Sequence, residues 1–178
     1  MNVYYAKAVL YAYGHVEAVM EQLDEIVERK ALSSMEDFSP CIEIAEKILG
    51  YTAQKDTLIR LKLFCDKALE RFSQEELDCL DYKYFRKKPK EYYADFDYSS
   101  RTYFRRQTEI VKKFARAMER IGAGNAWFEK ECLKMTFFKD MFKRVIAHEK
   151  EMQKNKSLKK NISGKSAQAT VDKIKKTA

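Results

Sequence analysis

Glycine and proline are scarce: five and two among 178 residues. Strand-rich folds need turn residues every eight to twelve positions, so this scarcity excludes most of them and favours helices. No run of eighteen apolar residues occurs, which excludes a helical membrane span. The N-terminus lacks the basic, apolar, small-residue order of a signal peptide. Cys41, Cys65, Cys79 and Cys132 are scattered, with no C-x-x-C pair. Zinc needs clustered ligands, so four reduced, packed cysteines in a cytosolic protein are expected.

Histidine is rarer still, and only His15 and His148 exist. A helical di-metal site needs E-x-x-H twice, but positions 12 and 145 hold Ala12 and Val145. H-E-x-x-H, a Walker glycine loop and G-x-S-x-G are all missing. The expectation is a protein that is not an enzyme and holds no metal or cofactor. The acids Glu21, Asp24, Glu25 and Glu28 read as a solvated helix face.

What is present in excess is positive charge, a net of +8. It is uneven: residues 1–72 carry −3, residues 73–121 carry +3 and residues 122–178 carry +8. From Gln153 onward there are eight lysines and one aspartate. Such a tail attracts any polyanion without choosing among sequences. With few large apolar residues it cannot repay the entropy of ordering, so a disordered tail is expected over 153–178.

Apolar periodicity then divides the chain. Val9, Ala12, Val16, Val19, Leu23 and Ile26 recur at spacings of three and four, predicting one amphipathic helix over the first thirty residues. Ser39-Pro40 suits a helix start. Cys41, Ile44, Ile48 and Tyr51 form a second set, and Leu58, Leu61, Cys65, Leu69 and Phe72 a third. Gly50 and a polar run lie between them, so one bent helix or two short ones fit. Residues 1–72 thus read as an N-terminal helical hairpin.

Ser73 with Glu76 is a capping box, and Leu77, Leu80 and Tyr84 give that helix its buried face. Pro89 marks a turn, followed by a short helix over 90–96. Ser99 caps a long helix with Tyr103, Gln107, Ile110, Phe114, Ala117 and Ile121 on its inner stripe. Gly122-Ala123-Gly124 stops it. Over 122–152, Asn125 and Thr136 are expected to cap two more helices. Their dense apolar set, including Trp127, Phe128, Phe137 and Phe138, is expected to close the core over the preceding unit.

The order helix, turn, short helix, tight turn, long helix over 73–121 is that of a helix-turn-helix. The last helix of that motif presents its N-terminal side chains to bases in the major groove. Ser100, Arg101, Phe104, Arg105 and Thr108 lie off the inner stripe. Arginine can pair with guanine through two hydrogen bonds, and serine or threonine can serve base or phosphate. Ser99, Thr102, Arg106, Lys112 and Lys113, with Lys87, Lys88 and Lys90 near the short helix, are candidates for the DNA backbone. Each neutralised phosphate makes affinity salt-dependent.

Residues 73–118 resemble the promoter-reading fourth region of bacterial sigma factors. That pattern is a capped acidic helix, a turn, E-I-A-x-x-L-G-x-S and a long basic helix. Here "SQEELDCLDYKYF", "EYYADFDYS" and "RTYFRRQTEIVKKFARAM" stand in those places, with Glu91, Phe96 and Ser99 matching. Tyr93 replaces the family's alanine and Asp97 its turn glycine. The resemblance implies that Ser100, Arg101 and Arg105 face DNA. It also implies that RNA polymerase is a possible partner. The acidic first seventy residues do not resemble the sigma region that melts promoters. The likeness is therefore to sigma-like regulators of phages and mobile elements in low-GC Gram-positive bacteria.

The sequence reading is an all-α protein: N-terminal hairpin, sigma-like helix-turn-helix, two C-terminal helices and a basic tail. Its expected function is sequence-specific binding of duplex DNA in transcription regulation, in the cytoplasm at the nucleoid, with no membrane. A homodimer through the N-terminal hairpin is compatible with this. The alternative is a protein–protein adaptor whose helix-turn-helix is scaffold. An RNA binder would use some of the eleven tyrosines and eleven phenylalanines for stacking, but most fall at helical core spacing.

Overall fold

Helices supply all the regular structure of the described residues, 1–36, 41–86 and 99–154, in the computed structural model, and no strand occurs among them. The fold class is all-α, as the scarcity of turn residues implies. The chain divides into two compact units, Met1–Phe142 and Lys143–Ala178. In the second, residues 143–154 are helical. The basic tail beyond them lies outside the described residues.

The first unit begins with α1 (Val3–Tyr13), capped by the Asn2 side chain, which accepts from the Tyr4 amide. The single helix expected over the first thirty residues is in fact two. Gly14 ends α1, and α2 runs from Val16 to Glu36. The reason for the break is a close approach. A Cβ on Gly14 would lie 3.2 Å from the Phe85 Cα and 3.3 Å from the Tyr84 carbonyl. The aromatic contacts Tyr11–Tyr84 and Tyr13–Phe85 seat that turn on the end of α1. Nor is α1 amphipathic: Ala6, Ala8, Val9, Leu10 and Ala12 are all buried. Small alanines let neighbours approach from several sides, and α3 and α5 both pack on it.

The helical hairpin is therefore α2 with α3 (Cys41–Leu69), while α1 lies within the core. Of the two arrangements the sequence allowed, α3 is one continuous helix. Gly50 does not break it, and the hydroxyls of Thr52 and Thr57 donate to the helix's own carbonyls at Ile48 and Ala53. Lys55 bridges to Asp24 at 2.6 Å, tying the two helices. The core reaches only the base of this hairpin. Leu23 is the last buried residue of α2 with a described side chain, and Thr57 the first of α3. Ser39 and Pro40 lie outside the described residues.

The capping box forms as expected. Ser73 accepts from the Glu76 amide, and Glu76 accepts from the Ser73 amide at 2.9 Å, opening α4 (Gln74–Leu80). One π-helical turn, Asp81–Phe85, continues it, and Arg86 ends it in the left-handed region at φ 51°. The expected short helix over 90–96, with Glu91, Tyr93, Phe96 and Asp97, lies outside the described residues.

α5 (Ser100–Arg120) is capped by Ser99 and stopped at Gly122, whose φ of 87° favours glycine. Its buried stripe differs from the expected one. Ile110, Val111, Phe114, Ala115 and Met118 are buried, while Ala117 and Ile121 are only partly so. With α1 and α3 both against it, the inner face is broader than one row. After it, α6 (Asn125–Trp127) has Gly124, not Asn125, as its cap, and Asn125 Oδ1 instead accepts from the Asn2 amide at 2.5 Å. A π-helical turn, Phe128–Cys132, follows. A helix α7 begins at residue 136; the Met135 carbonyl opens it by accepting from the Lys139 amide, so Thr136 is not its cap.

These last elements pack on α1 and α3. Phe128 stacks on Tyr5 with centroids 4.7 Å apart, and Trp127 meets Phe64 of α3 edge-on at 5.2 Å. Phe114, Phe128 and Phe138 are fully buried. Three of the four cysteines are packed as expected, but Cys41 is exposed.

Candidate nucleic-acid interface

The two halves of α5 serve different surroundings. Between Ile110 and Met118 its inner face fills the core. Between Arg101 and Thr108 only Gln107 is buried. This N-terminal half is positioned by polar contacts. Gln107 Oε1 accepts from Lys83 at 2.9 Å, and its amide nitrogen donates to the Tyr103 hydroxyl at 3.4 Å. Tyr103 also meets Tyr82 edge-on. Burial first, then neighbouring ionisable groups, pushes the Tyr103 phenol up to about 12, so it stays a neutral hydroxyl.

The helix start is built as the sequence predicted. Ser99 Oγ accepts from the Thr102 amide at 3.3 Å and sits 3.0 Å from the Thr102 hydroxyl. Both of these residues, expected on the DNA backbone, therefore take part in the cap. Ser100 is the first residue of α5; its side chain lies outside the described ones.

Arg101, Phe104, Arg105, Thr108 and Lys112 are all exposed. Their spacing of three, one, three and four puts them on one side of the helix, a stripe roughly 16 Å long at 1.5 Å per residue. Phe104 is 50% exposed, an apolar surface between two guanidinium groups. The Thr108 hydroxyl donates to the Phe104 carbonyl of its own helix. Among the described residues no carboxylate pairs with Arg101, Arg105 or Lys112.

Arg106 and Lys113 occupy the other flank. Arg106 lies 3.2 Å from Glu75 and Lys113 2.6 Å from Glu76, so both are engaged by α4. A groove of about 590 Å³ runs here, lined by acids (Glu75, Glu76, Glu109) and bases (Arg71, Arg106, Lys113, Arg116) in near balance. Burial works against the Glu76 charge, but the Lys113 ammonium and the Ser73 backbone outweigh it and hold that carboxyl below its ordinary range. Lys113 also lies over the Phe72 ring, 4.4 Å from its centroid.

Lys87, Lys88 and Lys90 lie outside the described residues. Among the described residues the predicted candidates thus separate into an unpaired outer row (Arg101, Arg105, Lys112), a cap (Ser99, Thr102) and a flank paired with α4 (Arg106, Lys113). Sequence reasoning missed the two carboxylate partners. A signal existed, since Glu75-Glu76 and Arg106/Lys113 are opposite charges on adjacent helices. Using it requires knowing which faces meet. Among the described residues, no group of three or more histidines, cysteines or carboxylates can hold a metal ion, and no helix is long and apolar enough to cross a membrane.

Compared with known proteins, the chain matches no family model, no curated protein and no solved structure.

Proposed function

We propose that the protein binds duplex DNA sequence-specifically in transcription regulation, through a sigma-like helix-turn-helix whose recognition helix is α5. One observation carries the reading: the exposed row of Arg101, Arg105 and Lys112, unpaired among the described residues, with Phe104 and Thr108, on the half of α5 that the core leaves free. An α-helix fits the major groove. In this reading Ser100, Arg101 and Arg105 meet base edges and Phe104 meets a thymine methyl. Ser99, Thr102, Lys112 and the lysines 87, 88 and 90 hold the backbone. Arg106 and Lys113 join them only by exchanging Glu75 and Glu76 for phosphate. The packing of α4 on α5 supports the reading, because the first helix of such a motif braces the second. The family resemblance adds RNA polymerase as a second partner and the nucleoid as the place of action.

The test is selection from a randomised duplex library with protein ending at Lys154, beside an Arg101→Ala/Arg105→Ala variant. Truncation matters because the tail lysines alone would retain DNA. The truncated chain should enrich a motif that the variant loses, with each lost arginine–guanine pair costing about 1–3 kcal/mol. Enrichment of the same motif by both proteins would refute the assignment of α5. A protein adaptor is the second reading, favoured by the exposed Ile42, Leu49 and Leu63 on α3. Failure of the truncated chain to enrich any motif supports it.

A further inference from the structure

Helix α3 is apolar on two sides. Ile44, Ile48, Tyr51, Lys55, Leu58, Lys62 and Cys65 recur at alternating spacings of four and three, and all are buried or half-buried along the side that meets α2. A second row, Ile42, Ala45, Leu49, Thr52, Asp56 and Ile59, recurs at alternating spacings of three and four and ends on Leu63. Every one of these is exposed. Ile42 is 73% exposed, Leu49 68% and Leu63 61%. The two rows lie about a third of a turn apart at 3.6 residues per turn. That is the geometry of a helix at the corner of a bundle, with two neighbours. Among the described residues, only one neighbour, α2, is present on the outer half of the hairpin.

The alternation of three and four is the spacing of a coiled-coil seam, and it selects both partner and direction. We propose that the protein dimerises by packing α3 antiparallel against α3 of a second copy through this row. Antiparallel pairing about the midpoint between Gly50 and Tyr51 sets Ile42 opposite the second copy's Ile59 and Leu49 opposite its Thr52. Asp56 then falls opposite Ala45. The flanking position of Glu46 faces the second copy's Arg60, and by symmetry this ion pair forms twice. Residues 41–50 carry a net −1 and residues 51–60 a net +1, so the antiparallel halves attract. Parallel pairing would instead oppose Asp56 to Asp56 and Lys55 to Arg60, like charge to like. Arg60 is half-exposed and only 3.6 Å from Glu131, a loose contact from which it can turn. A polar residue in a seam specifies register at some cost in stability, which is the role of Asp56. The proposal is independent of DNA binding by α5.

Sedimentation equilibrium of the full chain, over a concentration series, tests it. The wild type should reach a dimer. Leu49→Glu should weaken that dimer by at least about tenfold in Kd, equivalent to about 1.4 kcal/mol. The far-UV spectrum and thermal midpoint of the monomer should stay unchanged, since Leu49 is exposed there. Glu46→Arg and Arg60→Glu should each weaken the dimer, and the two together should restore it. Direction is read by spin-labelling Cys41, exposed while the other three cysteines are buried. Antiparallel helices separate the two labels by nineteen residues' rise, about 28 Å along the axis; parallel helices bring them into near contact. A wild type that stays monomeric, a Leu49→Glu dimer of undiminished strength, no rescue by the double reversal, or a short label distance would each overturn the proposal.

Discussion

Glu76 is one of two carboxylates that tie α4 to α5, and the strength of its contact can be measured. Glu76 accepts from the Ser73 amide and from the Lys113 ammonium, while Lys113 also lies over Phe72. The pair is partly wet: the Lys113 side chain is 37% exposed and that of Glu76 26%. An ion pair of this exposure contributes about 0.5–1 kcal/mol, and the cation over the ring about as much again. Glu76→Gln keeps an acceptor for the cap and should cost about 0.5–1 kcal/mol. Lys113→Met keeps the aliphatic stem on Phe72 but loses both charge contacts, and should cost about 1–2 kcal/mol. Urea unfolding of the two single variants and the double gives the coupling, expected at about 0.5–1 kcal/mol. The pH dependence separates the two contacts. Glu76 is held below its ordinary range in the folded chain, so the unfolded chain takes up its proton first, near pH 4.3. The ion-pair contribution is therefore complete above that pH and lost as pH falls through the folded value. The gap between wild type and Lys113→Met should narrow in acid to what the Phe72 contact supplies. Variants that add within about 0.3 kcal/mol, or a gap equal at pH 3 and pH 7, would refute the coupling.

Other outcomes follow from the packing. Gly14→Ala presses a methyl against the backbone of Tyr84 and Phe85 and should cost about 1–3 kcal/mol in urea unfolding, whereas Gly50→Ala meets nothing within 4 Å and should gain about 0.5–1 kcal/mol. Phe114→Ala empties a fully buried site and should cost about 3–5 kcal/mol by the same assay. A thiol reagent at pH 8 should modify only Cys41 in the folded protein and all four cysteines in denaturant. Burial raises the thiols of Cys65, Cys79 and Cys132, the last to about 12, and shields them. More than one fast thiol in the folded protein would contradict that packing.

Much of the local chemistry was legible in the residues, although the expected caps at Asn125 and Thr136 do not form, and long-range enclosure was not legible. The Ser73–Glu76 box, the Ser99 cap and the Gly122 stop all appear, because each depends on residues within four positions of one another. The break at Gly14 was hidden because its cause, the backbone at Tyr84 and Phe85, lies seventy residues away. Periodicity gave the first helix one apolar face, since Tyr4, Lys7 and Tyr11 interrupt its others. Yet alanine serves as well inside a core as on a surface, and three alanines let α1 be surrounded. On α5 the row of seven-residue repeats was followed too strictly, so Val111, Ala115 and Met118 were missed where two helices share one face. For the candidate interface, periodicity separated the outer row correctly, with Arg101, Phe104, Arg105 and Thr108 exposed. It had no means of separating Arg106 and Lys113 from that row, because their partners sit on α4.

The central place of α1 carries a consequence in time. It is synthesised before α5 and the turn bearing Phe128, both of which pack against it. At roughly 5–20 residues per second, the interval between Tyr13 and Phe128 is about 6–23 s. Throughout it the α2–α3 hairpin can form from its own local contacts, while α1 has at most α3 and the Asp81–Phe85 turn to pack on. Synthesis of this chain therefore includes a window in which its most apolar helix is only partly covered.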